Sequence, residues 1–99
     1  MSSTKNAFII ERKSTYNEGQ EEAYFPVRVF LDREKALVFQ KGLNDFVKNN
    51  KSGVYFNDLI NHYDKDGSLL GSLKIPEDYK DCIDDLSDIF VLTGVRIVQ

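Results

Sequence analysis

The segment 76–90, PEDYKDCIDDLSDIF, constrains this chain most, because its apolar and acidic residues separate at helical spacing. At 100° per residue, the apolar residues fall on one stripe and the acidic residues on the opposite side. The pattern predicts an amphipathic helix from Pro76 to about Leu92, with Pro76 in its first turn. The apolar stripe comprises Tyr79, Cys82, Ile83, Leu86, Ile89 and Phe90. The acidic side comprises Glu77, Asp78, Asp81, Asp84, Asp85 and Asp88.

The acidic side of this helix needs a reason. Its aspartates recur at i, i+3, i+4 and i+7, and each such like-charge pair destabilises a helix by about 0.2–0.5 kcal/mol. Asp is also a poorer helix former than Glu or Lys. Two explanations remain open: a solvated outer face whose charge is neutralised by lysines elsewhere in the fold, or a docking surface for a basic protein. The predicted partner-binding residues are Asp78, Asp81, Asp84, Asp85 and Asp88, with Tyr63 and Tyr79 as aromatic anchors.

The best strand pattern is the alternation from Ala23 to Leu31. Pro26 within it has no N–H to donate, which places the strand at a sheet edge or marks a bulge. Asp32 supplies an N-cap, and the apolar spacing that follows predicts a helix to Lys48 or Asn49. A shorter strand from Ala7 to Arg12 would pair with the strand 23–31 across a loop at 14–22, and the two would form an N-terminal hairpin.

The remaining segments are less regular. Residues 54–63 fit both helical spacing and a strand, and we predict a short helix. Strands are expected over 68–75 and 95–98, after the turn 64–67. The resulting order β-β-α-(α)-β-α-β predicts a small α+β fold, with a mixed sheet and helices packed on one face. We expect residues 1–99 to form a single domain, with 1–5 frayed.

Charge and composition exclude several classes of protein. The net charge of −3 argues against direct nucleic-acid binding, which usually requires a basic surplus. The acidity lies in the second half of the chain, so a partner attracted by charge would approach that half. The single cysteine, Cys82, rules out an intramolecular disulfide. Without a signal-peptide pattern or a long apolar run, we expect a cytoplasmic protein with no membrane contact.

Catalytic and metal-binding patterns are weak. His62 is the only histidine, and Cys82 lies on an apolar stripe, so a buried, inert thiol is expected. The turn 64–67 resembles part of a calcium loop, but Leu73 stands where a bidentate Glu is needed. Nucleotide-binding and hydrolase motifs are absent from the sequence. We therefore expect neither enzymatic activity, nor a cofactor, nor a bound metal.

The sequence leaves two main functions open, beside a small ligand-binding domain whose pocket the five tyrosines could line. The first is a non-enzymatic interaction module, such as an inhibitor, an immunity-type protein or a nucleic-acid mimic, which docks a basic partner through the acidic helix. The alternative is a homo-oligomeric structural module, such as a homodimer, that pairs through the edge strand 23–31. Salt dependence distinguishes them, because only the first relies on attraction between exposed charges.

Overall fold

The computed structural model describes residues 4–14 and 23–98, which form six strands, one helix and their connections. The elements are β1 (Thr4–Ser14), β2 (Ala23–Phe30), α1 (Arg33–Asn49), β3 (Val54–Phe56), β4 (Leu59–Tyr63), β5 (Leu69–Lys74) and β6 (Ile89–Val98). They build two antiparallel sheets, sheet A in the order β2-β1-β6 and sheet B in the order β3-β4-β5.

The N-terminal hairpin is confirmed, and β2 is an edge strand of sheet A. Ile10 pairs with Arg28 and Glu11 pairs with Pro26, so Val27 is the extra residue of a bulge. The bulge stands beside the proline, where the ladder has lost a donor. The predicted loop 14–22 lies, apart from Ser14, outside the described residues.

The helix α1 is confirmed with its predicted cap. Asp32 Oδ1 accepts hydrogen bonds from the N–H groups of Glu34 (2.9 Å) and Lys35 (3.3 Å), two donors of the first turn that have no partner within the helix. The helix packs against all three strands of sheet A. Gly42 lies where α1 meets the segment 76–88, because a Cβ at this position would clash with the Tyr79 hydroxyl.

The predicted helix over 54–63 is wrong, because β3 and β4 form a tight hairpin there. Its two loop residues, Asn57 and Asp58, have φ angles of 52° and 62°. Two residues with positive φ form the hairpin turn whose twist matches that of the flanking strands, and Asn and Asp tolerate this conformation. An Asn-Asp pair between Val-Tyr-Phe and Leu-Ile was therefore the overlooked turn signal.

The predicted acidic helix is also wrong, since residues 76–88 form consecutive turns. The aspartates themselves hold the backbone in this shape. Asp88 Oδ2 accepts hydrogen bonds from the N–H groups of Asp84 (2.9 Å) and Asp85 (2.8 Å), and Asp85 Oδ1 accepts one from Ser87 N–H (2.8 Å). Such local bonds offer the backbone an alternative to the helix, and turns also relieve the like-charge spacing. Strand β6 then begins at Ile89, six residues before the predicted Val95.

The α+β class is confirmed, but the single mixed sheet is replaced by two antiparallel ones, and the described residues contain one helix. Of the residues expected to be frayed, Thr4 and Lys5 lie in β1, and 1–3 are outside the described range. Sheets, helix and turns share one core. Its buried members are Ile10, Leu43, Val47, Ile60, Ile75, Cys82, Ile83, Leu86 and Phe90.

Candidate functional site

An arginine of β2 neutralises part of residues 76–88, which we call the acidic segment. The Arg28 guanidinium lies 3.2 Å and 3.3 Å from the two carboxylate oxygens of Asp81, and its Nη2 donates to the Asp78 carbonyl (3.1 Å). This hydrogen bond to Arg28 lowers the pKa of Asp81 below its ordinary value. Because the charge of Asp81 is paired with that of Arg28, Asp81 contributes less to an acidic docking surface than its exposure suggests.

An arginine of β1 anchors the end of the same segment. Arg12 Nη1 donates to the Cys82 carbonyl (3.1 Å), and its Nε lies 3.9 Å from Asp88 Oδ2. Asp88 is only 5% exposed, so a partner cannot reach it. Burial raises its pKa, against the lowering effects of the two backbone donors and of Arg12. Asp88 is a structural residue that closes the turn, and not a docking residue.

The raised pKa of Asp88 predicts a pH effect on stability. A carboxyl group that binds its proton more tightly when folded adds stability below its unfolded pKa of about 3.9, and this contribution is lost as pH rises through the folded pKa. We expect the unfolding free energy of wild type minus that of Asp88→Asn to decrease from about pH 4 towards neutrality. Urea unfolding of both proteins at several pH values measures this difference. A difference that increases with pH would mean that Arg12 and the backbone donors outweigh burial.

The other predicted acids are divided between exposed and structural roles. The Asp84 side chain is exposed, whereas Asp85 is half-buried and accepts hydrogen bonds from the Ser87 backbone and hydroxyl. Asp78 borders a concave surface lined with several aromatic rings. The structure therefore does not assemble the predicted five aspartates into one acidic face.

That concave surface is a groove of about 490 Å³ between the first turns of α1, the end of β2 and the start of the acidic segment. We call it the aromatic groove. Three rings form its wall: the Phe39 centroid lies 5.3 Å from that of Phe30 and 5.4 Å from that of Tyr79. The groove is lined by Phe30, Glu34, Lys35, Val38, Phe39, Pro76, Asp78 and Tyr79. Two carboxylates and one lysine thus border an apolar depression.

Sequence reasoning found Asp78 and Tyr79 but missed the contribution of α1. One signal was available. Val38 lies off the apolar stripe that buries Leu43 and Val47, and it is 71% exposed at the groove. A β-branched apolar residue on the outer face of a helix is poorly solvated and has a low helix propensity. When such a residue adjoins other exposed apolar groups, it indicates a binding surface.

Tyr63, the other predicted anchor, lies on a different surface. Side chains alternate along β4, so Tyr63 shares a face of sheet B with Leu59 and with the residues paired to them. This face is turned away from the core and carries exposed apolar side chains: Val54, Phe56, Leu59, Tyr63 and Leu69. Tyr63 and Tyr79 therefore belong to separate surfaces.

His62 and Cys82, the histidine and cysteine considered as catalytic candidates, are respectively hydrogen-bonded and buried. His62 Nε2 lies 3.1 Å from Asn50 Oδ1, a contact that ties β4 to the end of α1. Cys82 is buried, as predicted, and burial raises the pKa of its thiol, which disfavours the reactive thiolate.

Within residues 4–14 and 23–98, no three His, Cys, Asp or Glu side chains are grouped in a way that would hold a metal ion. No helix in these ranges has the length and apolarity to cross a membrane. Comparisons with family models, with curated proteins and with solved structures found no match to this chain.

Proposed function

We propose that this protein is a non-enzymatic interaction module whose aromatic groove binds a basic segment of another protein. The observation that carries this proposal is the combination of an apolar depression with carboxylates at its border. Glu34 and Asp78 both line it, and among the described residues neither carboxylate forms an ion pair. The remaining charge, Lys35, leaves the border net negative.

The chemistry of the groove indicates the form of its ligand. An aromatic or aliphatic side chain would fill the space against Phe39 and Tyr79, and flanking Lys or Arg residues would meet Glu34 and Asp78. The surrounding sequence adds long-range attraction, since Glu77 and Asp84 of residues 76–88 are also exposed acids. The apolar anchor would supply most of the affinity, and the acids would supply selectivity and encounter rate.

Pairing through β2, the alternative drawn from the sequence, has weaker support. The strand does lie at a sheet edge. However, Pro26 and the bulge at Val27 interrupt its backbone, and prolines and bulges protect edges against pairing with another chain. We therefore favour the groove as the binding site for a different protein.

The test is a titration of the full chain with two synthetic peptides, Lys-Lys-Phe-Lys-Lys and Glu-Glu-Phe-Glu-Glu, followed by NMR. We expect the cationic peptide to shift resonances of groove residues in a saturable manner, with weaker binding at higher salt. The acidic peptide should not bind. Equal binding of both peptides, or shifts confined to residues outside the groove, would reject the proposal.

Matched variants sharpen this test. Val38→Lys places a cation at the groove border and should weaken binding of the cationic peptide about tenfold or more, because it repels the ligand and obstructs its anchor. Val29→Lys is the control, since Val29 is similarly exposed but lies on β2 outside the groove. Asp78→Asn should weaken binding several-fold, and Asp84→Asn should not. If the two variants within each pair lost the same affinity for the cationic peptide, the binding would reflect diffuse charge attraction without a defined site.

A further inference from the structure

Strand β5 is an unprotected sheet edge. All six of its residues are exposed, it contains no proline and one charged residue, Lys74, and its one bulge, at Leu70, lies near its N-terminal end, away from the segment 71–74. The other edges differ. Edge strand β2 carries Pro26 and a bulge, β3 is only three residues long, and β6 has its Phe90 backbone bonded to α1. Long, uncharged edges are where sheets pair with further strands.

The backbone of β5 has donors and acceptors directed away from its own sheet. Ile75 N–H donates to the Asp58 carbonyl (3.0 Å), so the backbone groups of Ile75 point towards β4. Direction alternates along an antiparallel strand, and therefore Lys74 and Ser72 present their N–H and C=O groups outwards. These groups are available for a second strand.

The side chains of β5 complement themselves. Gly71 and Leu73 lie on one face, two residues apart, and no atom lies within 4 Å of the position that a Cβ on Gly71 would take. An antiparallel copy of β5, centred on Ser72, would set each Leu73 opposite Gly71 of the other copy. Each exposed leucine would then fill an open space.

The chain exposes more surface than a compact domain of its length. The protein exposes 7187 Å², whereas a compact monomer of this length exposes about 5,800 Å². Its radius of gyration is 16.5 Å, against about 12.6 Å for a compact domain.

From these observations we infer that two copies of this chain pair through β5. The strands run antiparallel across a twofold axis at Ser72, and they join the two copies of sheet B into one six-stranded sheet. Because the same residues contribute from both sides, the contact is isologous and closes at a dimer. This interface is separate from the aromatic groove and does not depend on its function.

The experiment is sedimentation equilibrium of the full chain over a wide concentration range, with Ser72→Pro and Ser72→Ala. We expect a dimer for wild type. Proline removes the outward N–H of Ser72, together with its hydroxyl, but no N–H that bonds β4, so it should weaken association about tenfold or more while the β4–β5 ladder remains. Alanine removes the Ser72 hydroxyl bond to Asn61 Oδ1 but keeps the N–H, and should preserve the dimer. A monomer at all concentrations, or equal association of the two variants, would overturn the inference.

Hydrogen exchange of the wild type provides a measurement that does not depend on whether the variants fold. The Ser72 amide should be protected at high protein concentration and should exchange faster on dilution, because its partner lies in the other copy. The Leu73 amide points towards β4 and should remain protected at both concentrations. A Ser72 amide that exchanges rapidly in the associated state would assign the contact to another surface and overturn the pairing.

Discussion

Replacing Phe90 by Ala is expected to destabilise this protein by about 3–5 kcal/mol, the range for removing a buried aromatic ring. Phe90 is the largest fully buried side chain of the described residues, at 1% exposure. It is the second residue of β6 and packs in the core with Ile10, Leu43 and Leu86. The cavity would therefore open where sheet A, α1 and the acidic segment meet. Urea unfolding monitored by circular dichroism measures the loss.

The adjacent residue provides the control. Ile89 is 46% exposed, so Ile89→Ala removes a side chain from the same strand with much less burial. We expect that variant to lose less than about 1 kcal/mol. If Phe90→Ala lost no more than Ile89→Ala, the core would be able to collapse around the missing ring, and the segment 76–88 would not be fixed by packing against it.

The elements that the sequence predicted correctly are those with local and redundant signals. Helix α1 has a capping aspartate, a regular apolar stripe and the Asn-rich end that follows it. Strand β2 has strict alternation, and Pro26 fixed its position at an edge. In both cases propensity, periodicity and boundary residues indicate the same element, so local sequence is sufficient to predict its type and position.

The helix prediction for residues 76–88 was wrong because helical spacing of apolar residues indicates which side chains are buried, and a chain of turns can bury the same side chains. Cys82, Ile83 and Leu86 are buried, as their helical spacing predicted. The spacing identified these three buried residues, but it placed Ile89, which is 46% exposed, on the inner side and Asp88, which is 5% exposed, on the outer side. It did not identify the backbone that presents them. Arg12 and Arg28, distant in sequence, bind this segment in turns, and those contacts cannot be read from periodicity. Arg28 also pairs with the Asp81 carboxylate, and Asp88 is buried, so both aspartates contribute less to the predicted docking surface than the sequence suggests.

The candidate groove was only partly predictable for a related reason. Its wall joins Phe30 from β2, Phe39 from α1 and Tyr79 from the acidic segment, which lie up to 49 positions apart. Each residue taken alone fits an ordinary core stripe. Their proximity depends on where the turns 76–88 cross α1, and thus on Gly42, which leaves room for the Tyr79 ring. A single sequence gives no direct measure of such tertiary proximity.

The second large effect is expected from Asn44, a polar residue of α1 that holds the backbone of β6. Its Nδ2 donates to the Phe90 carbonyl (3.0 Å), and its Oδ1 accepts from the Phe90 N–H (2.9 Å). Asn44→Leu removes both bonds and leaves the Phe90 N–H without a partner, which should cost about 2–3 kcal/mol.

Gln40→Leu is the matched control for Asn44→Leu, because Gln40 Nε2 donates to the same Phe90 carbonyl (3.0 Å) but to no other group of β6. After this change Asn44 still satisfies both backbone groups of Phe90, so we expect a loss of about 1 kcal/mol or less. Urea unfolding measures both variants, and hydrogen exchange at the Phe90 amide should accelerate only in Asn44→Leu. Equal losses, with an unchanged Phe90 amide, would show that packing of the Phe90 ring alone fixes the start of β6. Unequal losses in the expected order would establish that the Asn44 side-chain amide occupies the backbone edge of β6 at Phe90. A further strand therefore cannot pair with β6 at this residue, whereas, among the described residues, the edge of β5 has no such side chain bonded to it.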